Sequence, residues 1–182
     1  MQDIAEMLRA QLRYPEATNL QQRGIADKIE DACNEILLRE YPDTVPARSR
    51  RSIEDISIGN AYLDHKTTDV SLDFKMPNLI SIDRLIKLDR PLFYNFVTYD
   101  SIKHEIIDVM VLNVFQLNWA HLKIQNLGVG QLQISNMRKF LKDPMSDLSK
   151  EAWLKELRSN AIKFYDSLIS KTQKRRAQWE KL

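Results

Sequence analysis

Between Ser52 and Thr68 the apolar positions alternate with polar ones around a central Gly59-Asn60 pair. That pattern predicts a β-hairpin with glycine at the first central position of its turn. If Gly59-Asn60 is the turn, Ile58 faces Ala61, Ser57 faces Tyr62, Ile56 faces Leu63 and Asp55 faces Asp64. Strand side chains alternate between faces. One face then carries Ile56, Ile58, Ala61 and Leu63, and the other carries Asp55, Ser57, Tyr62, Asp64 and Lys66. A slip of one residue would mix the two sets, so the pattern itself selects the register.

Helical periodicity frames the hairpin. Ile4, Met7, Leu8 and Leu12 predict a helix over residues 2–13, ended by Pro15. Ile25, Ile29, Cys33, Ile36 and Leu37 form the apolar stripe of a second, from about Asn19 to Glu40. Tyr41–Pro46 reads as a loop and Ala47–Arg51 as a basic lead-in. After the hairpin, residues 68–74 continue as alternating sequence or a loop, and Leu79–Ile86 reads as a helix packed on the sheet. Pro91–Tyr99 and Glu105–Phe115 are rich in β-branched and aromatic residues and read as core strands. Leu117–Leu122 is a short helical turn. The final 40 or so residues are helical, with Leu141, Trp153, Leu157, Ile162 and Leu168 among the apolar positions. The class is α/β or α+β: a central mixed β-sheet with the hairpin, flanked by N-terminal and C-terminal helices. One domain spans residues 1–182: N-terminal helices to 50, the sheet and a downstream loop over 51–135, and a helical tail over 136–182.

Composition narrows this little, at 43% apolar and 29% charged residues. No apolar run reaches membrane-span length, and Met1–Glu6 lacks the basic start of a signal peptide. The lone Cys33 fits a reducing compartment, and a cytoplasmic location is expected. His65, His104 and His121 show no zinc-ligand spacing. Charge is more informative. From Met137 onward there are 12 Lys/Arg against 6 Asp/Glu, whereas the first 136 residues hold 15 against 19. A basic tail on a mildly acidic body is either a contact for nucleic-acid phosphates or a solvated helix.

The hairpin's polar face carries the candidate chemistry. Two aspartates directly opposed on antiparallel strands repel each other and need a compensating cation. Lys66, two residues beyond Asp64, supplies one charge, and a hard divalent ion such as Mg²⁺ supplies the rest. Such an ion polarises a phosphoryl oxygen and acidifies a bound water, the requirements of phosphodiester hydrolysis. The competing reading is an exposed Asp-x-Lys ion pair of little consequence.

An acidic residue, a hairpin and then Asp64-His-Lys66 resemble the PD-(D/E)XK nuclease superfamily, and Leu63-Asp-His-Lys-Thr-Thr68 is similar to the active-site strand of EcoRV-like type II restriction endonucleases. The resemblance covers residues 51–68; elsewhere only order and length agree. It implies a restriction-endonuclease-like fold with Asp55 and Asp64 as catalytic metal ligands and Lys66 as the catalytic lysine, and the His65 carbonyl as a further ligand. Glu54 stands where the family has proline and is a rival first acid; continued alternation would pair it with His65 on the opposite face. A glutamate on the helix before the hairpin often approaches such a site: Glu30 is the candidate, Glu35 a weaker one, and either is otherwise a solvated helical carboxylate.

Contacts to DNA are expected from Arg48, Arg50 and Arg51 before the catalytic strand, unless they form a plain charged loop. Ile124–Asn136 contains Gly128 and Gly130 without phosphate-loop spacing. It reads as a turn followed by a strand with Gln131, Gln133 and Ser135 on one face. Amide side chains can bond adenine bidentately, so Asn126, Gln131, Gln133 and Asn136 are candidate base-reading residues; a polar sheet edge is the alternative. The resemblance thus implies a Mg²⁺-dependent endonuclease of a restriction system that hydrolyses double-stranded DNA at a short site, leaving 5′-phosphates and 3′-hydroxyls. A homodimer would match a palindromic site. A repair, recombination or homing nuclease of the same superfamily, or a non-catalytic DNA-binding protein, are the other readings.

Overall fold

The computed structural model describes residues 1–16, 22–49, 52–71, 77–125 and 130–181. Helices α1 (Gln2–Gln11) and α2 (Gln22–Glu40) precede β1 (Thr44–Pro46), β2 (Ile56–Ile58) and β3 (Ala61–Asp69). Then come β4 (Asn78–Ser81), the single turn α3 (Ile82–Leu85), β5 (Leu92–Asp100) and β6 (Glu105–Asn113). Two 3₁₀ turns (Val114–Gln116 and Trp119–His121) lead to β7 (Leu122–Gln125), β8 (Gln131–Ile134), α4 (Met137–Phe140) and α5 (Lys150–Trp179).

One sheet has the order β1-β2-β3-β5-β6, antiparallel except where β3 and β5 run parallel. A second, three-stranded antiparallel sheet has the order β4-β8-β7. The fold is therefore α+β with a mixed five-stranded sheet and flanking helices. The hairpin has the register its alternation dictates: Ile56 opposite Leu63, Ser57 opposite Tyr62, Ile58 opposite Ala61. Gly59 takes φ +55°, and among the described non-glycine residues only His104 has a positive φ, so the strained turn position falls on glycine.

Two cores sandwich the larger sheet. On one face Ile56, Leu63, Val97, Tyr99 and Val109 meet Ile4, Leu8 and Leu12 of the α1 segment and the α2 stripe Ile25, Ile29, Cys33, Ile36 and Leu37. On the other, Leu92, Tyr94, Phe96 and Leu112 meet the second sheet, α3, α4 and the base of α5 through Leu79, Leu132, Ile134, Phe140, Trp153 and Leu157. Covered on both faces, β5 reads as a nearly continuous hydrophobic run.

Four expectations change. Tyr41–Pro46 is not all loop: Thr44–Pro46 forms β1, because Ile56–Ile58 supplies it with backbone partners. Residues 79–86 are not one helix: β4 pairs with β8 across a register shift between Asn78 and Ser81, and only Ile82–Leu85 is helical. The irregular pairing buries the adjacent Leu79 and Ile80 together, which mimics a helical pattern. The predicted strand to Phe115 ends at Asn113, whose side chain accepts from Phe115 N and caps the next turn. The tail is helical in two pieces, and only the base of α5 packs: Trp153 and Leu157 are buried, whereas Ile162 and Ile169 are more than half exposed. Gly130, at φ +89°, lies where a Cβ would come within 3.1 Å of Ile82 and 3.2 Å of Phe164, so it lets β8 approach α3 and α5. No helix among the described residues is long and apolar enough to cross a membrane.

Candidate active site

The hairpin's polar face forms one wall of a cleft of about 880 Å³ that includes Ser52, Glu54, Asp55, Asp64 and Lys66. Leu79, Ser81, Arg84 and Gln131, from β4, α3 and β8, make the facing wall, and Asn34 of α2 sits at its edge. Strand β3 is laid down by the apolar back face of the hairpin, which buries Ile56 and Leu63 completely against α2. That burial turns Asp64 and Lys66 toward the cleft.

Asp64 is nearly buried, and its Oδ2 lies 2.6 Å from Lys66 Nζ. Regular pairing ends at Ile56, and the Asp55 N–H donates to the Leu63 carbonyl at 3.0 Å. The Asp55 side chain still reaches across, where its Oδ2 accepts from the His65 backbone N–H at 2.7 Å. Burial pushes the Asp64 carboxyl up to about 7; Lys66 opposes this, and the charge and hydrogen bonding of Asp55 add to it. The two carboxyl groups therefore lie within hydrogen-bonding reach of each other. Tyr94 lies beside Asp64 across the parallel pair, and Lys66 Nζ is 5.9 Å from its ring centre. Burial first, and then the Asp64 charge, raise the Tyr94 hydroxyl well above the usual phenol range.

Glu30 joins this group electrostatically. It accepts a 3.2 Å hydrogen bond from Thr67 Oγ1. Burial and then the charge of Asp55 push its carboxyl up to about 7 against the pull of Lys66 and Thr67. Glu35 is exposed. Glu54 lines the cleft, so it is not carried to the α2 face; residues 52–55 leave the ladder before alternation can place it there. Its charge acts on Tyr62 and is not among the influences on Asp64 or Glu30.

The DNA-contact candidates scatter. Arg48 is exposed between Ala47 and Ser49, which line the cleft. Arg50, Arg51 and Asn126 lie outside the described residues. Gln131 faces the cleft with its Nε2 donating to the Leu79 carbonyl at 2.7 Å. Of the amides after it, Gln133 departs from the expectation of a base-reading side chain, whereas Asn136 is exposed. Gln133 is buried with its Nε2 on Asn78 Oδ1, because β4 covers that face of β8, and Asn136 Oδ1 accepts from Lys139 N as the cap of α4.

Several site residues escaped the sequence pattern. Asn34 carried one signal, its position four residues after Glu30 on the same helical face. Tyr94, Ser81 and Arg84 carried none, since only strand pairing sets Tyr94 beside Asp64 and only sheet packing brings Ser81 and Arg84 to the cleft.

Among the described residues no three His, Cys, Asp or Glu side chains converge on a common point that could hold an ion. The donor set is nevertheless hard oxygen: two hydrogen-bonded carboxyls, with a third carboxylate within electrostatic reach. Mg²⁺ is commonly held by one or two carboxylates, completed by water and phosphate oxygens, so these residues fit it. Comparison with protein-family models gives no match, and comparison with curated proteins gives none at a significant level.

Proposed function

We propose that the protein is a Mg²⁺-dependent endonuclease that hydrolyses phosphodiester bonds of double-stranded DNA, in the manner of a type II restriction enzyme. One observation carries the reading: Asp55, at the approach to β2, meets Asp64 of β3 in an open cleft, with a lysine 2.6 Å from Asp64. Isolated surface ion pairs do not place a second acid against the first, nor bury the pair. The mixed sheet, with the hairpin supported from behind by α2, agrees with the restriction-endonuclease-like expectation.

Asp55 and Asp64 would hold the cation, whose binding relieves their mutual repulsion. When bound, Mg²⁺ supplies Lewis-acid polarisation of a phosphate oxygen and a more acidic water. Lys66 Nζ, freed from full engagement with Asp64 once that charge is shared, is placed to donate to the attacking water or to the phosphate oxygen that gains charge. Glu30, poised near neutrality and within electrostatic reach of Asp55 and Lys66, would take up a proton released nearby. Arg84 and Gln131, across the cleft, are placed to contact the nucleic acid. Cutting both strands requires two such sites, and a homodimer would supply them.

Incubation with plasmid and phage DNA, in Mg²⁺ or in EDTA, tests the reading. Discrete fragments that disappear in EDTA and in Asp64→Ala and Lys66→Ala support it. A folded, Mg²⁺-supplied protein that binds DNA and cuts none would make it a non-catalytic DNA-binding protein.

A further inference from the structure

The back of the catalytic strand carries a polar tether where the surrounding packing is apolar. His65, only 2% exposed, projects through the sheet away from the cleft. Its Nδ1 accepts from Asn95 Nδ2 at 2.8 Å, and its Nε2 donates to Asn34 Oδ1 at 3.0 Å. Asn95 is fully buried, is the register partner of His65 on β5, and also donates to Cys33 Sγ at 3.6 Å. The neighbours are Ile29, Cys33, Leu63 and Val97, all in the apolar core. Asn95 Oδ1 is buried with no hydrogen-bond partner among the described residues. An orphaned buried carbonyl destabilises a fold by about 1–3 kcal/mol, so stability alone does not account for the arrangement.

What the tether does follows from its spacing. Glu30 bonds Thr67, and Asn34, one turn later, bonds His65. Four residues of helix rise about 6 Å. Two residues of strand span about 6.6 Å. The two rungs match, and they lock α2 to β3 in a single register. The same His65 donates its backbone N–H to Asp55 Oδ2. One residue thus links β5, α2 and the carboxylate of Asp55.

We infer that Asn34 and Asn95, acting through His65, are positioning residues for the cation site. They hold the His65 amide against Asp55 and hold α2 where Glu30 bonds Thr67 of the same strand. This rests on the reading of Asp55 and Asp64 as cation ligands. None of the three side chains is itself a ligand; their work is to keep β3 from sliding or rotating when charge enters the cleft. Groups behind a metal site that orient its ligands commonly change metal affinity or activity by about 10–100-fold when removed.

The test is calorimetric titration of Mg²⁺ into the full chain, beside DNA binding measured in EDTA. Asn34→Ala is the primary variant, because Asn34 is only partly buried and alanine favours the helix, so the fold is retained. Mg²⁺ affinity should fall by about 10–100-fold, and by more than DNA affinity in EDTA falls. His65→Gln, which preserves a donor toward Asn34, should keep more of the affinity than His65→Leu. Unchanged Mg²⁺ affinity in Asn34→Ala overturns the inference. So does a loss of DNA affinity in EDTA with Mg²⁺ affinity intact, since Asn34 would then be touching substrate. A wild-type chain that binds no Mg²⁺ overturns instead the reading of the cleft on which the inference rests.

Discussion

The backbone N–H of His65 donates to Asp55 Oδ2 at 2.7 Å, and this bond fixes the carboxylate past the end of the hairpin's ladder. Regular pairing stops at Ile56–Leu63. The Asp55 N–H on the Leu63 carbonyl keeps the backbone at β3, and the side-chain link fixes where the carboxylate points. With it, the carboxylate stays beside Asp64, and two like charges share a small volume. Charges held together against repulsion are a common mark of a site kept for chemistry at the expense of stability.

Removing one acid should therefore stabilise the metal-free protein. Asp64→Asn in EDTA at pH 8 is expected to raise stability by roughly 0.5–2 kcal/mol, read as a higher melting temperature, while Mg²⁺ binding and cleavage are lost. A lower melting temperature would mean that Asp64 is a structural ion-pair partner of Lys66 and that the repulsion is minor.

Proton binding gives a second expectation. Burial chiefly holds the Asp64 carboxyl up at about 7, far above the range of an unfolded chain, and Glu30 is similarly held at about 7. Groups with raised folded-state values bind more protons folded than unfolded. Their contribution is complete below the unfolded carboxylate range near pH 4 and is lost as pH rises through about 7. The metal-free protein should lose stability across that window, and Mg²⁺ should restore it. Mg²⁺ must also displace those protons, so binding tightens through neutrality and releases protons. Calorimetry in buffers of different ionisation enthalpy measures the release; a binding heat independent of buffer would contradict it.

Lys66 lowers the proton affinity of both Asp64 and Glu30. In Lys66→Met both carboxyls should titrate at still higher pH, and the pH at which Mg²⁺ binds should move upward with them. Carboxyl-carbon NMR titration of the variant reads this directly. Unmoved titrations would place Lys66 away from the acids in solution.

The long terminal helix separates stability from binding. Trp153 is fully buried, and its Nε1 donates to the Leu117 carbonyl at 2.9 Å, so Trp153→Ala should lower stability by about 3–5 kcal/mol. Deleting residues 168–182 removes a segment that is exposed apart from a half-buried Leu168, Leu182 lying outside the described residues, and should leave the melting temperature nearly unchanged. It also removes Lys171, Lys174, Arg175, Arg176 and Lys181. If the basic segment touches DNA, the salt dependence of binding becomes shallower by about 0.9 for each phosphate that the shortened chain no longer neutralises. An unchanged slope would show a solvated helix.

Local pattern alone determined a good deal of this protein. Alternation about Gly59-Asn60 dictated the hairpin register and put Asp64 and Lys66 on one face. Helical periodicity selected Ile25, Ile29, Cys33, Ile36 and Leu37, the buried positions among the described residues of α2, and located Glu30 at their margin. Those features depend on residues a few positions apart, whose geometry the backbone repeats already impose. Tertiary structure decided what no repeat encodes. Residues 79–86 became strand and turn because β8 supplied backbone partners. His65, a histidine without ligand spacing, became the tether of the site because Asn34 and Asn95, 31 and 30 residues away, close on its ring. The facing wall of Ser81, Arg84 and Gln131 exists only because the second sheet packs across the first. Contacts between distant segments are chosen by the burial of the whole core, and a local pattern holds no record of which surfaces will meet.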